Sequence, residues 1–499
     1  MSVCHFSKSR YCACIQCPKI LWLREHLPED EFDESVINQT ILDTGNDVGD
    51  LAMGLFGDFT EVPYSEHLSD MIPATHKLID EGVKNICEAS FAYNGCFCSV
   101  DILRNLGNKK VELYEVKSST EVKWIYEHDI SYQYYVLTKL GYTVKKNCIV
   151  HINSEYVRYG KLELDKLFTI VDLTKTAKSN LQEVEKNIKK FRKYLKSETE
   201  PECEIGGQCS DPYKCGYFMH CAVDLPESDE PTVWDIAGLR TSEKQKPYEE
   251  GHITFKQLYD SGVLKGKYLQ QVEVELLNLP PQIEKKQIKS FLKTLSYPIY
   301  FLDFETFNPA IPLYDNSRPY QQIVFQYSLH YIEKKGGKLK HKEYLAYPGS
   351  DPRRQIAEQL CADIPLDVCT TAYNMGFEKG KIRDLAELYP DLHDHLMNIH
   401  DNINDIMIPF HKRWYYTKEM YGSYSIKYVL PALFADEPSL NYENLEGVHN
   451  GQEASDTFLA MQKMDEKELA GWREHLLRYC ELDTLAMVKV LEKLREAVK

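Results

Sequence analysis

The sequence predicts an α/β protein of more than one domain, and three observations predict it. Apolar runs of strand length recur, and one of them, "YPIYFLDFETFN" (Tyr297–Asn308), carries two carboxylates. The segment 96–120 alternates apolar and charged residues around the turn "RNLGN", as a hairpin does. Helical periodicity follows these strand groups and dominates the end of the chain, from about Glu466 to Val498.

Bulk properties narrow the classes. The 499 residues suggest roughly two to four domains, and a hydrophobic content of 43% allows sizeable cores. No apolar run approaches the length of a membrane span, and the opening "MSVCHFSKSRYCACIQCPKILWL" lacks a basic-then-apolar leader. The expectation is a cytoplasmic protein with no membrane partner; protein partners and oligomeric state are not legible. A net charge of −17 argues against general coating of nucleic acid, although a local basic groove stays open because binding follows the local field. The 15 cysteines do not read as a disulfide framework in so long a chain. Reduced thiols, a metal site or an iron–sulfur cluster remain.

In chain order, three regions are expected: 1–225, mixed and bracketed by cysteines; 226–292, a polar and helical connector; and 293–499, strands first and helices after. In the first, "CFCSVDILRNLGNKKVELYEVKSST" (96–120) forms the hairpin. Asp101 lies on its first strand, and Glu115 and Lys117 lie two apart, hence on one face, of its second. Two carboxylates hold a divalent cation, and a neighbouring lysine positions water or stabilises phosphate charge. An ordinary solvent-facing hairpin has the same alternation. Glu88, in "CEASF", is an extra carboxylate candidate. "EVEKNIKKFRKYLKSE" (183–198) is a lysine-rich helix, suited to phosphate or simply to solvent. Cys209, Cys215 and Cys221 follow at equal spacing, with Cys17 far upstream and Cys12, Cys14 and Cys203 in reserve. Four thiolates hold either Zn²⁺ or an iron–sulfur cluster, and spacing does not choose.

The connector carries helical periodicity in "FKQLYDSGVLKGKYLQQVEVELL". In the third region, strands are expected at the opening run, at "QQIVFQYSLHYI" (321–332), "KHKEYLAYP" (340–348) and "VCTTAYN" (368–374), and helices at "DPRRQIAEQLCADI" and "FEKGKIRDLAELY". Asp303 and Glu305 share a strand face. Glu378 opens a helix, and Tyr479 and Asp483 sit four apart on another. Converging carboxylates repel unless cations neutralise them, and oxygen ligands suit Mg²⁺ or Mn²⁺. Any one of these patterns alone also describes a solvated face. "HKRWYYTKEMYGSY" (411–424) interleaves cations with Trp414, Tyr415, Tyr416 and Tyr421. That mixture suits single-stranded nucleic acid or an aromatic core equally.

Residues 297–497 resemble the DnaQ-like exonucleases with an RNase H-like fold, the DEDD group. "DFET" is similar to their first motif, "AYNMGFEK" to the second and "YCELD" to the third motif of the tyrosine subclass. The resemblance implies 3′→5′ exonuclease activity, Asp303, Glu305 and Asp483 as metal ligands and Tyr479 beside the attacking water. Glu378 stands where the second motif usually supplies Asp, with Asp405 in "NINDIMIPF" as a weaker alternative. "GSYSIKYVLPAL" (422–433) resembles a segment near the substrate.

The hairpin resembles the PD-(D/E)xK restriction-endonuclease-like core, in its RecB-like branch. Asp101, Glu115 and Lys117 match the triad, and "DISYQYYVLTKLGY" (129–142) resembles the glutamine motif through Gln133. Leu137 replaces that motif's tyrosine, and "DTGNDVGDLAMGLF" (43–56) lacks the histidine of the first helical motif. The cysteine order resembles the iron–sulfur members of that branch, the AddB type and the CRISPR-adaptation nucleases. It implies a [4Fe–4S] staple on Cys17, Cys209, Cys215 and Cys221, with structural Zn²⁺ as the alternative. The whole resembles an uncharacterised bacterial family fusing the two nucleases. It implies Mg²⁺ or Mn²⁺ at both sites and nucleic acid as partner, DNA ahead of RNA, in repair, recombination or defence. A binding scaffold with inactive sites and an RNA-trimming enzyme are the rivals.

Overall fold

The computed structural model describes residues 6–27, 32–36, 38–222, 226 and 230–499, so the boundary expected at residue 225 lies outside the described residues. The chain is mixed α/β and separates into two compact units, Met1–Asp224 with Pro309–Tyr320, and Leu225–Asn308 with Gln321–Lys499. Among the described residues, no helix is long and apolar enough to cross a membrane.

The first unit is built on a seven-stranded sheet. Its strands are β1 (Phe6–Ser7), β2 (Thr60–Glu61), β3 (Asn85–Tyr93), β4 (Cys96–Asn105), β5 (Lys110–Lys117), β6 (Thr143–Ile152) and β7 (Phe168–Asp172). Their order is β2-β3-β4-β5-β6-β7, with β1 pairing alongside β4. The β4–β5 hairpin closes where the sequence places it, and β6 returns parallel to β5 after the crossover helix Trp124–Lys139. That helix is buried along most of its length because it packs on the sheet among Val100, Val111, Leu113 and Ile149. The other sheet face packs on the helix Gln39–Met53 through Val48 and Ala52. Arg158 donates to the carbonyls of Pro312 (2.8 Å) and Leu313 (2.9 Å), which fastens the segment Pro309–Tyr320 to this unit. The lysine-rich segment forms the helix Leu181–Leu195, anchored by Val184, Ile188 and Phe191.

The second unit begins with residues expected to be connector, and they carry a small core of their own. Val233, Ile236, Phe255, Leu258, Leu264 and Val272 bury one another. The helical run there is broken into Phe255–Ser261 and Gly266–Leu276, because Gly262 adopts the left-handed conformation (φ 66°) that ends a helix. The strand β8 (Gln282–Ile283) precedes β9 (Ile299–Phe307), β10 (Ile323–Ile332), β11 (Lys340–Leu345), β12 (Cys369–Ala372), β13 (Ile403–Asp405) and β14 (Tyr415–Tyr416). The main sheet runs β11-β10-β9-β12-β13, antiparallel among β9, β10 and β11 and parallel among β9, β12 and β13. Strand alternation divides β9. Tyr300, Leu302 and Phe304 pack with the helices Arg353–Asp363 and Gly376–Leu388 on one face. Asp303 and Glu305 occupy the other, toward the helices Gly451–Ala460 and Glu466–Ala497. The strand expected at 368–374 stops at Ala372, because Asn374 takes a positive φ (72°) that turns the chain into the next helix. Of the aromatics at 411–424, Tyr415 and Tyr416 are core residues on β14 paired with β8, whereas Tyr421 is 62% exposed.

Gly422 shows how tightly this unit closes. It has φ 72°, and a Cβ there would fall 2.0 Å from Gln271 Oε1. Gln271 cannot swing aside, since it accepts from the N–H of Ala237 (3.0 Å) and donates to the carbonyl of Asp235 (3.1 Å). Gly422→Ala is therefore expected to destabilise the second unit by more than about 1 kcal/mol, measured as a lower urea midpoint with unchanged slope.

Candidate functional site

The first cluster forms where β4 and β5 part. Their ladder ends at Ile102↔Tyr114. One residue on, the Asp101 carboxylate takes over by accepting the N–H of Val116 at 2.7 Å. On the other side of β4, the ladder with β3 skips the Glu88–Asp101 position, and Glu88 sits at φ 54°. A non-glycine residue held there marks stored strain. The side chain of Glu88 accepts from Ser99 Oγ at 3.1 Å.

Glu115 and Lys117 face the crossover helix, as their spacing predicts. Lys117 Nζ donates to Glu115 Oε1 (2.6 Å) and to Asp129 Oδ2 (2.8 Å). Gln133 Nε2 donates to Glu115 Oε2 (2.7 Å) and Asp129 Oδ1 (3.0 Å), locking the two acids in one orientation. Lys8, at the start of the helix Lys8–Gln16, enters from 107 positions away and donates to Glu115 Oε1 at 2.6 Å. It also lies 3.8 Å from Asp101 Oδ1. Burial, with Asp101 and Asp129 beside it, pushes Glu115 up to about 7 despite the two lysines. Burial also disfavours the Asp129 charge, but Lys117 and Lys8 outweigh it and hold Asp129 down at about 2. Burial raises Asp101 and Glu88 as well. The sequence-predicted Asp101, Glu115, Lys117 and Gln133 are thus brought together, with Glu88 in their field. Asp129 and Lys8 are the residues that sequence reasoning missed. The Asp129–Gln133 spacing of four was a usable signal; Lys8 had none.

The cysteines divide less neatly. Cys17 and the loop carrying Cys203, Cys209, Cys215 and Cys221 are neighbours, and the thiol that Cys17 approaches is Cys203, 3.8 Å away. Burial, then Cys203, pushes Cys17 up to about 12. Cys215 donates its N–H to the carbonyl of Cys209 (2.9 Å), and the charges of Cys215 and Cys209 act on Cys221. Gln16 fastens the loop by donating to the carbonyls of Gln208 (2.8 Å) and Tyr213 (2.7 Å). Cys203, given only as a reserve by the sequence, is therefore a neighbour of Cys17, Cys209 and Cys215.

The second cluster lies on the acidic face of β9. Asp303, Glu305 and Cys480 have ligand atoms within 4.8 Å of one another. Cys480 and Tyr479 come from the helix Glu466–Ala497, as does Asp483. Asp483 is held by Tyr442, whose hydroxyl donates to Oδ1 at 2.7 Å, and by the hydroxyl of Tyr479. Glu378, in the first turn of the helix Gly376–Leu388, is 2% exposed, and its Oε2 has no hydrogen-bond partner. Asp405 is engaged otherwise: it accepts the N–H groups of Asn374 (3.0 Å), Met375 (3.3 Å) and Met407 (2.9 Å), so it serves as a backbone cap. Lys427, inside "GSYSIKYVLPAL", lies 5.3 Å from the Tyr442 ring and 5.4 Å from the Tyr479 ring. Its charge favours ionised Glu305 and Asp483. Sequence reasoning missed Lys427, Tyr442 and the role of Cys480.

Electrostatics here run against ionisation. Burial, with Asp483 and Glu378 beside them, raises Asp303 and Glu305. Burial takes Asp483 to about 6, against the pull of Tyr442 and Lys427. Burial, reinforced by Asp405 and Asp483, takes Glu378 to about 8. Burial keeps the Tyr479 phenol protonated. Buried acids in contact, with few donors, hold either protons or cations.

This is a mixed α/β protein with an acidic cluster in each unit. Residues 300–425 match the family described as "Domain of unknown function (DUF2779)", a stretch that includes Asp303, Glu305 and Glu378 and ends before Tyr479 and Asp483. Among curated proteins, the chain is 28% identical over 229 residues to "Uncharacterized protein UU173" of Ureaplasma parvum, covering 42% of this chain and 33% of that one. It is 27% identical over 220 residues to "Uncharacterized protein MG366 homolog" of Mycoplasma pneumoniae, covering 41% and 33%. The chain thus spans about a third of the length of the curated relatives it matches. No solved structure matches it.

A raised folded-state carboxyl binds its proton more tightly than the unfolded chain does, so its contribution is present at low pH and lost as pH rises through the folded value. In chelator, the stability of the second unit should therefore fall from about pH 4 to about pH 8, as the unfolded carboxyls ionise first and the folded ones follow near 6 for Asp483 and 8 for Glu378. Glu378→Gln should remove the upper part of that decline and raise stability at pH 8 by about 1–3 kcal/mol, read from melting temperatures across the range.

Proposed function

We propose that the protein is a metal-dependent nuclease with a separate phosphodiester-hydrolysing site in each unit, DNA being the expected substrate. The observation that carries this reading is the gathering of Asp303, Glu305, Glu378 and Asp483, from three separate segments, into one buried patch with few counter-charges. Such a patch is costly unless it serves a cation. The strand order third-second-first-fourth-fifth of β9–β13 supports an RNase H-like, DnaQ-like exonuclease unit. The hairpin with Asp101, Glu115 and Lys117, followed by a crossover helix carrying Gln133, supports a PD-(D/E)xK unit of the RecB-like kind.

The donor sets fit the ions. The partnerless Glu378 Oε2 and the close Asp303–Glu305 oxygens are hard ligands for Mg²⁺ or Mn²⁺, and Asp101, Glu115 and Glu88 would serve in the other unit. When bound, such ions supply a polarised phosphoryl group and a water acidic enough to attack it. The chain's own residues do the rest. Tyr479 and Tyr442, both kept protonated by burial, hold Asp483 in place. Lys427 offers positive charge to a phosphate beside it. In the first unit, Asp129 and Gln133 aim Lys117, whose ammonium would meet phosphate charge. A cavity of about 560 Å³ beside Lys8 and Lys117, walled in part by Tyr126 and Tyr213, has room for the end of a strand. Cys17, Cys209, Cys215 and Cys221, with Cys203 as a competing ligand, would hold the [4Fe–4S] cluster or, in its place, Zn²⁺.

End-labelled single- and double-stranded DNA and RNA, incubated with Mg²⁺, Mn²⁺ or chelator, test the reading. Cleavage is expected with metal only. Asp303→Ala and Lys117→Ala should each lower a different set of products by about 10²-fold or more. Identical ladders from wild type and both variants would reject it, and DNA binding without cleavage would favour a scaffold. Anaerobically purified protein should be brown, with iron and sulfide in equal amounts; colourless protein with stoichiometric zinc would replace the cluster.

A further inference from the structure

On the face of the second unit's sheet that carries Asp303 and Glu305, two histidines stand opposite each other. His330 on β10 pairs in register with His341 on β11, and their ring centroids are 4.4 Å apart. Glu481, from the helix Glu466–Ala497, approaches the same spot, its Oε1 lying 3.9 Å from His341 Nδ1. One ligand atom from each of the three lies within 4.8 Å of the others. Glu343, two residues from His341 on the same strand face, completes the surroundings, with His341 and Glu481 acting on its carboxyl.

A chain of hydroxyls sets the tautomers. Thr484 Oγ1 donates to the carbonyl of Glu481 at 3.1 Å, so its oxygen must accept from its other neighbours. Those are Ser328 Oγ at 2.6 Å and His330 Nδ1 at 2.8 Å. Ser328, having given its proton to Thr484, accepts in turn from His341 Nε2 at 2.9 Å. Each ring thus donates through one nitrogen and keeps a lone pair on the other: Nε2 of His330 and Nδ1 of His341. The lone pair on His341 Nδ1 faces Glu481 Oε1, and a ring nitrogen of His330 belongs to the same group of ligand atoms. Acceptors so arranged repel one another and suit a cation. A metal-ligating imidazole is oriented in this same way, by the hydrogen bond its second nitrogen makes.

We propose that His330, His341 and Glu481 are the ligands of a divalent transition metal of the zinc class, with a fourth position open. Two imidazoles and one carboxylate are a borderline-soft set, distinct from the carboxylate-dominated cluster on β9, which has no imidazole. The ion would fasten the helix Glu466–Ala497, which positions Tyr479 and Asp483, to the β10–β11 hairpin. This assignment stands on its own geometry and does not depend on the nuclease reading.

The test is a metal count on the full chain. Protein stripped by chelator is refilled with Zn²⁺, dialysed and assayed, alongside His341→Ala and Glu481→Gln. The thiols and the acidic clusters also take up zinc, so the difference between proteins is what matters. Each variant is expected to retain one zinc fewer per chain and to show a smaller zinc-induced rise in melting temperature. Co²⁺ loading should give a visible difference spectrum between wild type and variant. Equal zinc content and equal thermal shift in wild type and both variants would overturn the proposal. Should His341→Ala fail to fold, Glu481→Gln decides, since that side chain is 46% exposed and tolerates substitution.

Discussion

Carboxylates withdrawn from water beside one another are the constraint around which both units are arranged. An ion moved into a protein interior costs several kcal/mol even after relaxation, and a like charge nearby adds to it. The two units meet that cost differently. In the first, Lys8 and Lys117 touch Glu115, and Lys117 touches Asp129, so the acids carry their own counter-charges. In the second, Asp303 and Glu305 face hydroxyls, a thiol and, among the described residues, the single cation Lys427. The second cluster therefore has the larger unmet demand for positive charge, and the first has its demand largely met by the protein itself.

Local structure is shaped to bear this load. The β4–β5 ladder opens just where Asp101 can exchange a backbone partner for a side-chain one. The β3–β4 ladder breaks at the same level, with Glu88 held in a conformation that costs a non-glycine residue about 1–3 kcal/mol. In the second unit the strain is borne by packing. One face of β9 is committed to aromatic and aliphatic contacts, and that commitment leaves Asp303 and Glu305 no other direction to point. The long helix Glu466–Ala497 then brings Tyr479 and Asp483 across them, while Glu481 and Thr484, on the same turns, reach His341 and His330. One helix thus serves two groups of ligand-bearing side chains.

Much of this was legible along the chain wherever the signal was short-range. The period of two put Asp303 with Glu305 and Glu115 with Lys117; the spacing of four put Tyr479 with Asp483. The hairpin at 96–120 is closed by local turn chemistry, which made Asp101 a neighbour of Glu115. The small core within residues 226–292 was not legible because its few apolar residues, from Val233 to Val272, are sparse in sequence and collect only on folding. Asp405 looked like a ligand because it is an acid at a strand end, and only its three backbone donors reveal it as a cap.

By itself, the sequence determined which side chains share a face, because strand and helix periods are properties of neighbouring residues. It determined the α/β class and the identity of most acids in both clusters for the same reason. Only the tertiary structure decided which faces meet. It brought Lys8 to Glu115, Cys203 to Cys17, Lys427 and Tyr442 to Asp483, and His330 and His341 to Glu481. Those pairings arise when whole elements pack to bury apolar surface, and the separation of two residues along the chain says nothing of their distance after that.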